Sequence, residues 1–217
     1  MDLEQYTEHI KRFEIPPEPP YNLAYSYDTF SSPDMFAARD VCTDHGSWVI
    51  IADTWIKCLA EWIDGRKCLE IMAGAGWLAK GLQNHGVDII ATDSYHWNKR
   101  HTMMKHLTEV LRYEATRAVK TFTDTEVLIV SWPPYGKRTI VTACNTWNDR
   151  GPIVYIGEDD GGCNAPSGFF RHFHLDNTAP DIYLPQWYGL HDEIRIGNWV
   201  NRSTNGRRKS GVDEETT

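Results

Sequence analysis

The chain has 217 residues and a formal net charge of −8, from 22 basic against 30 acidic side chains. That length suits one α/β domain with a full core and some appended structure, and the negative balance excludes a nonspecific nucleic-acid binder held by charge, though not an enzyme that meets nucleic acid through a local patch. No run of 18 apolar residues occurs and the N-terminus MDLEQYTEHIKRFE is too charged for a secretory signal, so a soluble, cytoplasmic protein with no membrane partner is expected.

Residues 1–14 read as a short amphipathic helix that the prolines Pro16, Pro17, Pro19 and Pro20 stop, leaving an extended, stiff connector. Residues 21–46 show no clean period, and 1–46 together form an N-terminal extension. From 47 to 64 the apolar pattern is helical, with Ser47 as N-cap and Gly65 just past the end. Trp48, Trp55 and Trp62 recur every seven residues, which places them on one stripe packed against a sheet. The five cysteines, Cys42, Cys58, Cys68, Cys144 and Cys163, are odd in number, form no CxxC pair and mostly sit among apolar neighbours, so they read as reduced core thiols.

The stretch CLEIMAGAGW, 68–77, is the centre of the chain. An apolar run meets Gly74, Ala75 and Gly76 and then a helix-compatible segment, which reads as strand, tight turn and helix. Such a junction lets the backbone approach a ligand and offers the unpaired N–H groups of a helix start. A second strand over 87–92 closes on Asp93, within about 20 residues of Gly76, the spacing of a βαβ unit with a carboxylate for a ribose. Gly74, Gly76 and Ala79 also satisfy the loose fingerprint of a nicotinamide dinucleotide site. Glu70 separates the two, because a carboxylate at the strand end repels a pyrophosphate but favours the ammonium and sulfonium of S-adenosylmethionine.

Beyond Asp93, a helix is expected over 103–107, a third strand over 110–113 and a further helix over 116–122. His96, Trp97 and His101 have the spacing of surface or packing residues rather than of metal ligands. A fourth strand, 126–130, is a continuous apolar run as in a parallel strand buried on both faces, and it ends in Ser131, Trp132, Pro133, Pro134 and Tyr135. Next come a helix over 139–147, a fifth strand over 152–156, and three crowded carboxylates, Glu158, Asp159 and Asp160, which either raise one another's pKa to make a base or form a solvated turn. Strand-like alternation returns at 169–175 and 193–199. His172 and His174 share a face there, but no third ligand follows and no metal site is expected. Arg207, Arg208 and Lys209 lie in a tail, 201–217, of disordered composition.

Glu70-xxx-Gly74-x-Gly76, with Asp93 closing the next strand, resembles the first two motifs of class I S-adenosylmethionine-dependent methyltransferases. The resemblance implies a Rossmann-like α/β domain over 47–200: a mainly parallel seven-stranded sheet with helices on both faces, its last two strands antiparallel. It implies S-adenosylmethionine as cofactor, with Glu70, Ala73, Gly74, Gly76 and Trp77 at the methionine part, Asp93 and Ser94 at the ribose, Glu114 and Ala115 at the adenine, and Ser131 between cofactor and acceptor. Ser131, Trp132, Pro133, Pro134 and Tyr135 then stand at the active-site motif. They look like the Asp/Asn/Ser-Pro-Pro-aromatic motif of enzymes that methylate amino groups, with one departure: Trp132 stands where a hydrogen-bond acceptor is usual, although indole only donates. A separate departure lies in the glycine loop, where Met72 replaces the further glycine that many members have two residues before Gly74. The expected activity is methyl transfer to an N or O acceptor on a small molecule, protein or nucleic-acid base. A non-catalytic binding module of the same fold and a nicotinamide-dependent oxidoreductase are the alternatives.

Overall fold

Strands buried on both faces need unbroken apolar runs. CLEI, VLIVS and IVYIG supply them as β1 (Cys68–Ile71), β4 (Val127–Ser131) and β5 (Ile153–Gly157), with all positions buried except Ser131. The computed structural model describes residues 1–21, 33–96 and 105–201. Its other strands are β2 (Ile89–Asp93), β3 (Val110–Arg112), β6 (Phe173–Leu175) and β7 (Glu193–Trp199); its helices are α1 (Leu3–Arg12), α2 (Pro33–Asp44), α3 (Asp53–Ile63), α4 (Trp77–Asn84), α5 (Ala115–Thr121), α6 (Thr139–Trp147) and α7 (Ser167–Phe170).

The seven strands form one sheet in the order β3-β2-β1-β4-β5-β7-β6. Neighbours from β3 to β5 pair in parallel, whereas β7 is antiparallel to both β5 and β6. This is a Rossmann-like sheet with one correction: of the last two strands only β7 reverses direction, and β6, paired antiparallel to it, runs with the rest. Residues 169–170 close the short helix α7 instead of opening a strand. Because side chains alternate along a strand, Cys68, Val127, Ile129, Val154 and Ile156 face α1 to α4, and Leu69, Ile71, Leu128, Val130, Ile153 and Tyr155 face α5 to α7. Glu70 shares the parity of Cys68 and points to the first face. The chain runs outward from β1 to β3 and returns at β4, so the β1/β4 boundary is the switch point where such sheets bind ligands.

The N-terminal extension belongs to the first core. Tyr6, Ile10, Met35, Ala38 and Cys42 join the apolar cluster of α3 and α4, the Tyr6 hydroxyl donates to the Ile51 carbonyl at 3.0 Å, and Asp53 N–H donates to the Pro16 carbonyl at 2.8 Å. A capping box between Asp2 and Gln5 starts α1. Helix α2 forms where the sequence showed no period.

The helix expected from 47 starts only at Asp53, with Ala52 as N-cap. Ser47 does not cap it; its hydroxyl donates to the Val49 carbonyl at 2.9 Å and residues 47–52 are not helical. Trp48 therefore leaves the stripe, while Trp55 is buried with its indole N–H on the Ile50 carbonyl at 2.9 Å. Residues 105–107 are not helical, and 97–104, with Trp97, His101 and Met103, lie outside the described residues, as do 22–32 and most of the tail. Cys42, Cys68 and Cys144 are buried, Cys58 and Cys163 exposed, and all five are free thiols; burial pushes Cys42 and Cys68 up to about 12.

Candidate active site

At the C-terminal ends of β1, β2 and β4 the chain leaves a cleft of about 690 Å³. Its floor is the loop from β1 to α4, in which Met72, Gly74 and Gly76 take φ values of 61°, 56° and 78°. Met72 thus adopts the left-handed conformation that a glycine would take freely, at a cost on the order of 1–3 kcal/mol. Ala73 N–H donates to the Thr92 carbonyl at 3.0 Å, and Gly74 N–H to Asp93 Oδ2 at 2.9 Å. Asp93 is 2% exposed, and its Oδ1 accepts from Tyr95 N–H at 2.6 Å. Each carboxylate oxygen holds one backbone donor and keeps a lone pair for a ligand. Ala73, Gly74, Asp93 and Ser94 all line the cleft.

Glu70 lines the same cleft and is 1% exposed. Its Oε2 has no hydrogen-bond partner. Burial raises its carboxyl to about 8, against the Ala79 backbone N–H and helped by the charge of Asp93. A buried carboxylate with an unused oxygen is costly unless a cation or donor arrives.

Gly76 is not among the lining residues. A Cβ there would sit 2.9 Å from Val110 Cγ2 and 3.1 Å from Thr108 Cγ2, so this glycine lets the start of α4 pack against β3 rather than a ligand approach the backbone. Trp77 does line the cleft. Its indole N–H donates to the His45 carbonyl at 2.7 Å and its ring stacks on Phe13 at 5.9 Å, so the N-terminal extension fixes it.

Glu114 and Ala115 line the far end, with Tyr113 beside them. Glu114 is the N-cap of α5 without a side-chain capping bond; its Oε1 meets His96 Nδ1 at 2.6 Å, with both side chains largely exposed. The opposite wall is Ser131, Trp132, Pro133, Pro134 and Tyr135. Ser131 stays in register with Ile156, so the strand ends without a bulge. Trp132 has φ 48°; its ring stacks on Trp48 at 5.6 Å and 18°, and its indole N–H donates to Asp192 Oδ1 at 2.8 Å. Tyr135 is 72% exposed.

Glu158, Asp159 and Asp160 do not line the cleft, and neither Glu158 nor Asp159 is raised as crowding would have it. Burial pulls Glu158 up, but the backbone N–H groups of Cys163, at 2.7 Å, and His191, at 3.2 Å, outweigh it and hold it below the usual range. Burial likewise raises Asp159, but the Asp160 N–H and Arg195, at 2.6 Å, bring it below. His172 bonds the Val200 carbonyl and stacks on Trp199, and among the described residues no three His, Cys, Asp or Glu side chains converge on a point. Sequence reading missed Trp48, Tyr113 and Asp192. Trp48 and Asp192 meet Trp132 only across long sequence separations, which no local pattern marks.

No protein-family model matches the chain, nor does any curated protein. Solved structures do. TrmN from Thermus thermophilus is 14% identical over 68% of this chain and 48% of its own, with a TM-score of 0.46. PH1948 from Pyrococcus horikoshii, a candidate RNA methyltransferase, is 13% identical over 92% of this chain and 98% of its own, with a TM-score of 0.44. A TehB-like SAM-dependent methyltransferase from Corynebacterium glutamicum is 16% identical over 76% and 96%, with a TM-score of 0.43. The chain thus spans about half of the first of these proteins. At such identities and scores the likenesses carry no argument about activity, which rests on the residues of the cleft.

Proposed function

We propose that this chain is an S-adenosylmethionine-dependent methyltransferase that acts on an N or O acceptor held at the Pro133–Tyr135 end of the cleft. The observation that carries the reading is Glu70, a buried carboxylate with an unpartnered oxygen at the foot of the glycine loop. An ammonium or sulfonium would supply the missing partner and draw the carboxyl, held neutral below about 8 by its burial, into its charged form, whereas a pyrophosphate would oppose that charge. This disfavours the nicotinamide reading of the same loop. Asp93, anchored through one bond to each oxygen, retains the acceptor capacity that a ribose diol needs.

When bound, S-adenosylmethionine would supply a methyl carbon on a sulfonium: the acceptor lone pair bonds to that carbon as the C–S bond breaks, S-adenosylhomocysteine leaves with the electron pair, and the proton of the N–H or O–H acceptor passes to solvent. The chain's own part is arrangement. Glu70 meets the positive charge, Asp93 and Glu114 hold the nucleoside, and the rigid Pro133–Pro134 pair with Tyr135 aligns the acceptor and limits water, which is where rate is gained when bond-making needs no covalent help. Ser131, between the two ends, offers a hydroxyl to either.

Calorimetry with S-adenosylmethionine, S-adenosylhomocysteine and NAD tests the reading. The first two are expected to bind with dissociation constants on the order of micromolar, and NAD not at all. Binding of NAD alone overturns the assignment of Glu70. Trp132, whose only polar atom is already spent on Asp192, favours one second reading, a non-catalytic module of the same fold; cofactor binding without methyl transfer to protein, nucleic-acid or metabolite pools would support it.

A further inference from the structure

Trp132 is the residue directly before Pro133, and its φ of 48° lies in a region that a bulky residue occupies only when its surroundings over-determine it. Three contacts do so. Its backbone N–H donates to the Ile156 carbonyl at 2.8 Å, its ring lies on Trp48, and its indole N–H donates to Asp192 Oδ1 at 2.8 Å. The first fixes only the strand end, and stacking tolerates sliding; the bond to Asp192 is the directional one. Asp192 directly precedes β7 and is 1% exposed. Gln186 Nε2 donates to its carbonyl at 3.0 Å, so its backbone is held, and its Oδ2 has no partner.

We propose that Asp192 is a positioning residue for the acceptor end of the cleft: by accepting the indole N–H it holds Trp132 left-handed and flat on Trp48, so that two parallel indoles, and no hydrogen-bond acceptor, stand before Pro133. The term acceptor rests on the methyltransferase reading; the lock itself does not. Asp192 leaves the lining of the cleft to Trp48 and Trp132 and acts only through them. The groups that face it are Glu158 and Tyr155 of the β5 end, Cys163 of the following loop and Arg39 of α2. Burial is the main reason its carboxyl is pushed up to about 7, with the indole bond and Arg39 lowering it and Glu158 raising it. The lock therefore changes strength around neutrality: the carboxylate accepts the indole N–H more strongly than the neutral acid does.

The full chain carrying ¹⁵N-labelled tryptophan provides the test. The Trp132 indole resonance, assigned by its loss in Trp132→Phe, is expected to be protected from exchange and to titrate with a midpoint of about 7. Asp192→Leu should reduce that protection by about tenfold or more, while Asp192→Asn, which keeps an acceptor oxygen, should retain it without the titration. S-adenosylhomocysteine affinity should stay within about threefold in both variants, because neither touches the glycine loop. An indole signal that ignores pH in the wild type, or that is equally protected in Asp192→Leu, overturns the lock; so does a loss of ligand affinity of about tenfold in Asp192→Asn, which would place Asp192 at the cofactor end. If Asp192→Leu does not fold, the wild-type titration and its absence in a still-protected Asp192→Asn decide the matter. If the wild type binds no S-adenosylhomocysteine, the methyltransferase reading fails, and the indole titration without ligand still decides the lock.

Discussion

The Gly74 N–H donates to Asp93 Oδ2 at 2.9 Å, tying the loop after β1 to the end of β2. Asp93 therefore anchors the glycine loop, and under the proposed function it is also the carboxylate offered to a ribose. Asp93→Ala should weaken S-adenosylhomocysteine binding by about 2 to 4 kcal/mol, since charged hydrogen bonds to a ligand are lost and two backbone donors, Gly74 and Tyr95, lose their acceptor. Asp93→Asn, able to keep one of those bonds, should lose less. Titration calorimetry of both folded variants gives the answer; an unchanged dissociation constant in Asp93→Ala removes this residue from the site.

Glu70 makes binding depend on pH. Its carboxyl is raised to about 8 in the folded protein, mainly by burial, so its contribution to stability is fully present below its ordinary carboxylate range and is lost as pH rises through about 8. A cationic ligand reverses this by favouring the carboxylate. Affinity for S-adenosylmethionine should rise with pH up to about 8, by at most about tenfold per unit, and binding below that pH should release a proton. Calorimetry in two buffers of different ionisation enthalpy measures the proton. Glu70→Gln should abolish the release, and a wild type that releases none would mean that Glu70 does not meet the ligand's charge.

Gly76 separates packing from binding. Its φ is 78°, and a Cβ would press on Val110 and Thr108, so Gly76→Ala should cost stability on the order of 1–3 kcal/mol. Thermal unfolding should show the loss, while S-adenosylhomocysteine affinity of the folded fraction stays within about threefold. Loss of affinity with unchanged stability would instead restore Gly76 to the cleft.

The sheet was legible because its strands obey local rules. Residues 139–147 and 193–199 are bounded as expected, the first by helical periodicity and the second by alternation. The helix from 47 was misjudged for a tertiary reason. Gly46 to Val49 and Ile51 line the cleft and Trp48 answers to Trp132 instead of to Trp55, so of the three tryptophans only Trp55 and Trp62, both on α3, pack against one core. Helix α2 lacked a period by which the sequence could show it. Asp192 was not readable at all, because its role exists only in the contact that brings β7 to the end of β4.

The extension shapes the cleft through Tyr6. Its ring is fully buried and its hydroxyl holds the Ile51 carbonyl. Tyr6→Phe keeps the ring but orphans that carbonyl, which should cost about 1–2 kcal/mol by denaturant unfolding. Because Val49 and Ile51 line the cleft, ligand affinity should fall by a few fold as well, and a variant that loses stability without affinity would show that the extension supports the core alone.

Tyr135 isolates the acceptor end from the cofactor end. It follows the two prolines that fix the strand's exit, lines the cleft, and is 72% exposed, so it contributes little to the core and its removal should leave the unfolding temperature in place. Glu70 on β1, Asp93 at the end of β2 and Glu114 at the N-cap of α5 stand on other elements, and S-adenosylhomocysteine affinity in Tyr135→Ala should stay within a few fold. If the ring aligns an acceptor with the methyl group, methyl transfer should nonetheless fall by about ten to a thousand fold, because small misplacements of a reacting atom are costly even when both ligands are bound. Single-turnover transfer from labelled S-adenosylmethionine, compared with calorimetric affinity for the same variant, reads the two ends separately. Equal losses in affinity and transfer would make Tyr135 a cofactor contact, and unchanged transfer would remove the aromatic wall from the mechanism.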